Sequence, residues 1–172
     1  MEQWRFFLKD IARIIGKKKY RVLIVVFTRS FWGLFLYRVE RFGFLLFGKF
    51  YSIIRLPFIP LFVLLQSFSN IDIHYKSNIK GGILILHPSL GLVISGLATL
   101  GKNCTFVGGN VIGYTKKATE QKFIIGDNCS MGANSVILGP IILGNNVTIG
   151  ALACVVKNCE MDNQVLVGVP AK

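Results

Sequence analysis

From Ile125 to Lys172 the chain divides into blocks of six: IGDNCS, MGANSV, ILGPII, LGNNVT, IGALAC, VVKNCE, MDNQVL and VGVPAK. The first residue of each block is aliphatic or Met: Ile125, Met131, Ile137, Leu143, Ile149, Val155, Met161 and Val167. The second is Gly in five of the eight, and the fifth is small or β-branched, as at Cys129, Ser135, Val147 and Ala153. Neither a helix, with its period of about 3.6, nor an ordinary strand, with its period of 2, repeats every six residues. A triangular coil with three short strands per turn does. One block cannot bury its apolar residue alone, so stacking of successive turns must supply the core. Gly or Asn is expected wherever the corner needs a positive φ.

Working upstream, the same period continues with two interruptions. Ile73, Ile79 and Ile85 are six apart, and so are Ile94, Leu100, Phe106 and Ile112. The step from Ile85 to Ile94 is nine, which predicts a three-residue bulge. The step from Ile112 to Ile125 is thirteen, which predicts a projecting loop around Tyr114–Lys122. Interruptions of a solenoid commonly mark its binding face. The fold class expected is therefore mainly β, a parallel β-helix of hexapeptide repeats behind a short N-terminal α-helical segment; the resemblance given below implies that it is left-handed.

Before the repeat, composition changes. Residues 1–69 hold most of the 14 Phe, both Trp and a dense set of Lys and Arg, so a domain boundary is expected between 69 and 70. A chain that is 52% hydrophobic with a net charge of +12 is no disordered tail. It predicts a packed protein with a basic, apolar surface. The apolar runs Val22–Phe27 and Leu56–Leu65 are too short for a span of roughly 20 residues. Two readings remain for residues 1–68: peripheral contact with an anionic membrane, and packing against the repeat domain or a sister subunit. There is no contiguous apolar run followed by a small-residue cleavage site, so no signal peptide is expected, and the location expected is cytoplasmic, at most peripheral at the inner membrane face. The four Cys form no CxxC pair, and Cys129 and Cys159 fall on inward positions as small apolar fillers. No nucleic-acid-binding motif is found.

The hexapeptide coil, the Asp-Ile-His of Asp72–His74, the GGILILHP of Gly81–Pro88 and the terminal GVPAK of Gly168–Lys172 together resemble the left-handed β-helix acyltransferases. Within them they are most similar to the serine acetyltransferase family and its relatives in surface-polysaccharide clusters. The resemblance covers about residues 71–172. It implies an O-acetyltransferase that takes acetyl-CoA as co-substrate, with His87 as catalytic base and Asp72, fifteen residues earlier, as its support; His74 is expected to be structural. Imidazole suits the task because it titrates near neutrality and can take a hydroxyl proton. A carboxylate on its other nitrogen would fix the tautomer.

The resemblance further implies a homotrimer with acetyl-CoA in the groove between neighbouring subunits. Ala133 and Ala151 would let the pantetheine arm approach the backbone, and Lys157 and Lys172 would meet its phosphates. No metal is expected, since the β-helix anhydrases need three His and this chain has only His74 and His87. Two departures bear on the acceptor. Leu86 stands where serine-specific members carry an acid, and Gln121, Lys122 and Phe123 stand where they carry a second His. The reading taken from these departures is acetylation of a sugar hydroxyl on a surface polysaccharide or lipid-linked precursor. Serine O-acetylation in cysteine biosynthesis is the alternative, and a non-catalytic scaffold a further one.

Overall fold

The computed structural model describes residues 2–114 and 123–172. Helix α1 (Glu2–Ile15) is followed by 3-10 turns, helix α2 (Arg29–Phe47), the single turn α3 (Tyr51–Ile54) and helix α4 (Ile59–Ser69). The Thr28 hydroxyl caps α2 by accepting from the Phe31 N–H at 3.3 Å. α4 ends where Asn70 turns left-handed at φ 56°.

Fourteen short strands follow among the described residues. The first coil holds β1 (Ile71–Ile73), β2 (Asn78–Ile79) and β3 (Leu84–Ile85); the second β4 (Leu92–Ile94), β5 (Ala98–Leu100) and β6 (Thr105–Phe106). The third holds β7 (Asn110–Tyr114), β8 (Phe123–Ile125) and β9 (Ser130–Met131); the fourth β10 (Val136–Gly139), β11 (Ile141–Leu143) and β12 (Thr148–Ile149). The last has β13 (Cys154–Val155) and β14 (Val165–Leu166). They stack in parallel as three sheets, β1-β4-β7-β10-β13, β2-β5-β8-β11 and β3-β6-β9-β12-β14, the faces of a left-handed β-helix.

The register explains the repeat. Ile73 lies over Ile94, Ile112, Ile137 and Val155, each 6% exposed or less. The ladder Ile79, Leu100, Ile125 and Leu143 fills the second corner, and Ile85, Phe106, Met131 and Ile149 the third. The first interruption stands where the spacing puts it. The three-residue bulge is a 3-10 turn over Pro88–Leu90, closed by Gly91 at φ +88°. The projecting loop, apart from Tyr114, lies outside the described residues.

The frame of six does not run to the end, however. Met161 and Val167 were expected inside, but they are 67% and 56% exposed. The interior positions pass instead to Cys159, which bridges to Leu143, and to Leu166, which pairs with Ile149. The last coil takes four residues from Val155 to Cys159 and seven from there to Leu166. Both letters at the expected positions are apolar, so the slip is silent in the sequence. Cys104 and Cys129 are buried fillers, and burial pushes both thiols up, Cys104 to about 12. Cys159 is half-buried.

The corners divide the work between Asn and Gly. Positive φ falls on Asn103, Asn128, Asn146 and Asn163, whose side-chain amides also bond in a ladder at 3.0–3.1 Å from coil to coil. The Gly of the repeat serves close stacking: a Cβ on Gly126 would meet the Gly144 carbonyl carbon at 2.6 Å and the Asn145 nitrogen at 2.8 Å. Gly126→Val is therefore expected to lower stability by ~1–3 kcal/mol through overpacking, read as a shifted denaturation midpoint at unchanged m-value.

The helices close the first coil. The Tyr37 hydroxyl donates to the Ser77 carbonyl at 3.0 Å and accepts from the Ile79 N–H at 3.2 Å. Arg13 donates to the Gly82 and Cys104 carbonyls. The buried Arg38 donates to the Ile79 and Lys80 carbonyls, and its partner Asp10 accepts from the Gly82 and Ile83 N–H groups. Packing on the repeat thus accounts for α1 and most of α2. It does not account for residues 42–68, most of whose large apolar side chains face outward.

Candidate active site

A coil corner repeats at the same height in each turn, so register decides what stands together. Two residues beyond the third-corner ladder come His87, Gly108, Ala133 and Ala151 in successive coils. Backbone bonds join them or their neighbours: the His87 N–H donates to the Val107 carbonyl at 2.9 Å, and the Leu152 N–H to the Ala133 carbonyl at 2.9 Å. The chain comes so close at Gly108 that a Cβ there would meet the His87 carbonyl. At about 4.8 Å per coil, His87 and Ala151 are ~14 Å apart along one edge of the prism. The edge carries only Gly and Ala between them.

His87 itself is exposed at the root of the bulge, and its carbonyl accepts from the Leu90 N–H at 3.1 Å. Its main chain is thus held at both ends while its ring points to open surface. Among the described residues no hydrogen bond is made to that ring, and Asp72 does not reach it. Asp72 sits at the centre of β1, side chain outward by the alternation of the strand, exposed on the adjoining face. The expected Asp72–His87 hydrogen bond is not formed within one chain.

A second constellation, which sequence reasoning passed over, lies at the far edge of that face. Asp72, His74, Lys76, Ser95, Leu97 and Tyr114 line a cleft of about 850 Å³. Residues 72 and 74 are two apart in extended chain and must share a side; the Asp-Ile-His motif already contained that signal. The His74 ring stacks on Tyr75 at 4.5 Å, and its Nδ1 accepts from the Lys76 N–H at 3.1 Å. Desolvation, Lys76 and Arg55 lower its pKa against the opposing pull of Asp72, so it is neutral at pH 7. A Cβ on Gly96 would come within 2.6 Å of that nitrogen, so glycine is needed beneath the ring. Behind β1 the cleft adjoins a pocket of about 190 Å³ containing Glu40 and Arg55, paired at 2.7 Å.

Of the residues expected to hold acetyl-CoA, Ala133 and Ala151 fall on the His87 edge. The exposed Lys172 lies at its far end, its main chain doubly bonded to Val167 at 3.1 and 3.2 Å. Lys157 is exposed but follows β13 at a different corner. Among the described residues no three His, Cys, Asp or Glu side chains are placed to hold a metal ion.

Comparison with known proteins bears on this arrangement. Residues 122–151 match the hexapeptide repeat of succinyl-transferase. Serine acetyltransferase 5 of Arabidopsis thaliana is 36% identical over 72 residues, which are 41% of this chain and 23% of that protein. The chain thus spans about a quarter of the length of that curated relative. Among solved structures, serine acetyltransferase from Neisseria gonorrhoeae in complex with serine superposes with a TM-score of 0.78 at 23% identity, over 99% of this chain and 68% of that one. The enzyme from Brucella abortus in complex with coenzyme A gives 0.77 at 24% identity, over 99% and 67%. At those identities the structures share the fold, with the helices included.

Proposed function

We propose that the chain is an acetyl-CoA-dependent O-acetyltransferase of the serine acetyltransferase type, with serine as acceptor and His87 as general base. The observation that carries this reading is the single prism edge on which His87, Gly108, Ala133 and Ala151 stand in register. An extended thioester arm needs a smooth strip of backbone with a base at one end. Gly and Ala supply the strip, and Lys172 offers a cation at its other end for the phosphates. In the reaction the His87 ring takes the hydroxyl proton as the oxygen attacks the thioester carbonyl. The tetrahedral oxyanion collapses, the C–S bond breaks, and the departing thiolate takes the proton back from the imidazolium. No acyl-enzyme forms. The open surface beside His87 leaves room for a neighbouring copy, and we assign the active unit as a trimer whose grooves complete the site. Asp72 is assigned as the group that orients His87 once that groove forms.

Serine is preferred as acceptor because the solved relative from Neisseria gonorrhoeae holds serine and the curated relative carries that activity in its name. A polysaccharide acceptor has no counterpart among the relatives named above. One observation favours a different base: the neutral His74 shares its cleft with Asp72, as His87 does not.

The test is thiol release from acetyl-CoA with serine and with free sugars as acceptors, together with calorimetry of coenzyme A binding. Turnover with serine is expected. Ala151→Leu, which places a branched side chain on the strip, is expected to raise KM for acetyl-CoA by about tenfold or more with little change in kcat. Turnover with sugars alone would overturn the acceptor, and no binding of coenzyme A would leave a scaffold.

A further inference from the structure

We propose that residues 42–68 form a re-entrant hairpin by which the protein seats on an anionic lipid bilayer. No described helix is long and apolar enough to cross a membrane alone, but Arg29–Ile54 and Leu56–Ser69 pass together as a pair bent by 76°. Such a pair is either a broken span or a re-entrant loop, and because α2 as far as Arg41 is packed on the β-helix, the re-entrant path is the one proposed for the exposed remainder. Its surface suits that path: Leu46, Phe50, Ile53, Leu61 and Leu64 are 51–72% exposed. Exposed apolar patches of this extent mark binding surfaces.

Charge decides between occupants. Arg55 is the one ionisable side chain between Tyr51 and Asn70 other than the phenol itself. It is turned inward, paired with Glu40 and lying over the Phe62 and Tyr75 rings at 5.9 and 4.8 Å. The hairpin therefore presents no net charge beyond the exposed Lys49, which precedes the bend at Arg55. Residues 1–70 as a whole are strongly basic: they hold 12 of the 20 Lys and Arg, Lys49 and Arg55 of the hairpin included, and 3 of the 8 Asp and Glu, a net +9. Of those three acids Asp10 and Glu40 are buried, and Glu2 is exposed. Arg38 and Arg41 are buried as well, so the exposed charge is carried by cations such as Lys17, Lys18, Arg21, Arg29 and Lys49, and a second copy docking through this segment would set them against their like. An anionic bilayer takes the apolar surface and neutralises the cations around it. Because α4 runs directly into β1, the cleft at Asp72 and His74 would then lie close to the headgroups.

The experiment is co-sedimentation of the full chain with vesicles of phosphatidylcholine, alone and mixed with phosphatidylglycerol, with salt titration and light scattering in parallel. Binding to the anionic vesicles is expected to exceed that to neutral ones by about tenfold or more and to weaken as salt rises. Leu61→Glu with Leu64→Glu, at exposed positions, should abolish it while far-UV circular dichroism stays unchanged. The salt response of the wild type is a second reading that does not depend on that variant folding. A wild type that stays in the supernatant with both lipids would overturn the proposal. So would a double variant that sheds subunits in light scattering while vesicle binding is unchanged, since a second copy would then be the occupant.

Discussion

His87→Ala is expected to lower kcat for acetyl transfer by ~10²–10⁴-fold, with KM for acetyl-CoA little changed. The size follows from what the ring is asked to do. A serine hydroxyl is a poor nucleophile until its proton has somewhere to go, and a positioned base contributes that factor. The strip of Gly108, Ala133 and Ala151 proposed to hold the thioester arm is main chain and methyl groups, so it survives loss of the ring. The fold should survive as well: His87 is exposed, and its structural bonds, to Val107 and Leu90, belong to the main chain. A thermal melt within a degree or two of wild type would separate lost chemistry from lost structure. His74→Ala is the necessary companion. It leaves the strip intact but removes the ring from over Gly96 and from the 850 Å³ cleft. If it were His74→Ala that abolished turnover while His87→Ala kept it, the base would sit on the other edge and the strip would have no role.

How much of this could be read in advance depends on how local the determinant is. The period of six was legible because each inward position is decided by its own residue, from Ile73 through Val155. The two interruptions were legible as counts, nine and thirteen. The slip in the last coil was not, because steps of four and seven bring Cys159 and Leu166 inward while leaving the hydrophobic letters Met161 and Val167 in the expected frame. The edge joining His87 to Ala133 and Ala151 could not be read without the register. One must know that the bulge and the loop add three and seven residues without rotating the coils. The resemblance named those residues; only the stacking put them in one line. By resemblance His74 reads as structural, although strand alternation alone places it on the same side as Asp72. The helical segment was the least legible. Its basic and apolar letters fit a membrane-facing surface and packing on the repeat equally, and nothing in them marks Arg38 and Arg41 as buried and spent on backbone carbonyls of the first coil.

Arg38 carries the largest stability effect expected in the molecule. Its guanidinium is fully buried and makes five contacts of three kinds: to Asp10 at 2.9 and 3.0 Å, to the Ile79 and Lys80 carbonyls at 2.6 and 3.1 Å, and to Gln3 at 3.1 Å. Asp10 in turn accepts from the Gly82 and Ile83 N–H groups at 2.6 and 2.8 Å, where the first coil turns towards β3. One ion pair thus ties α1, α2 and the open end of the β-helix together. Arg38→Met removes the cation, leaving the buried Asp10 carboxylate without its counter-charge and two carbonyls without the guanidinium donor, which costs ~3–5 kcal/mol. Against a total stability of about 5–15 kcal/mol this is a large share, and it corresponds to a melting temperature lower by roughly 6–20 °C. The pair's own worth is smaller, since burying two charges is nearly as costly as their attraction is favourable. Arg38→Met with Asp10→Leu should therefore recover part of the loss, because no uncompensated charge remains inside. Calorimetry on the two single variants and the double gives the coupling directly. Strictly additive losses would mean that Arg38 and Asp10 act separately, each through its own bonds to the coil, and that the helices are held to the β-helix by apolar packing around Leu34 and Tyr37 instead.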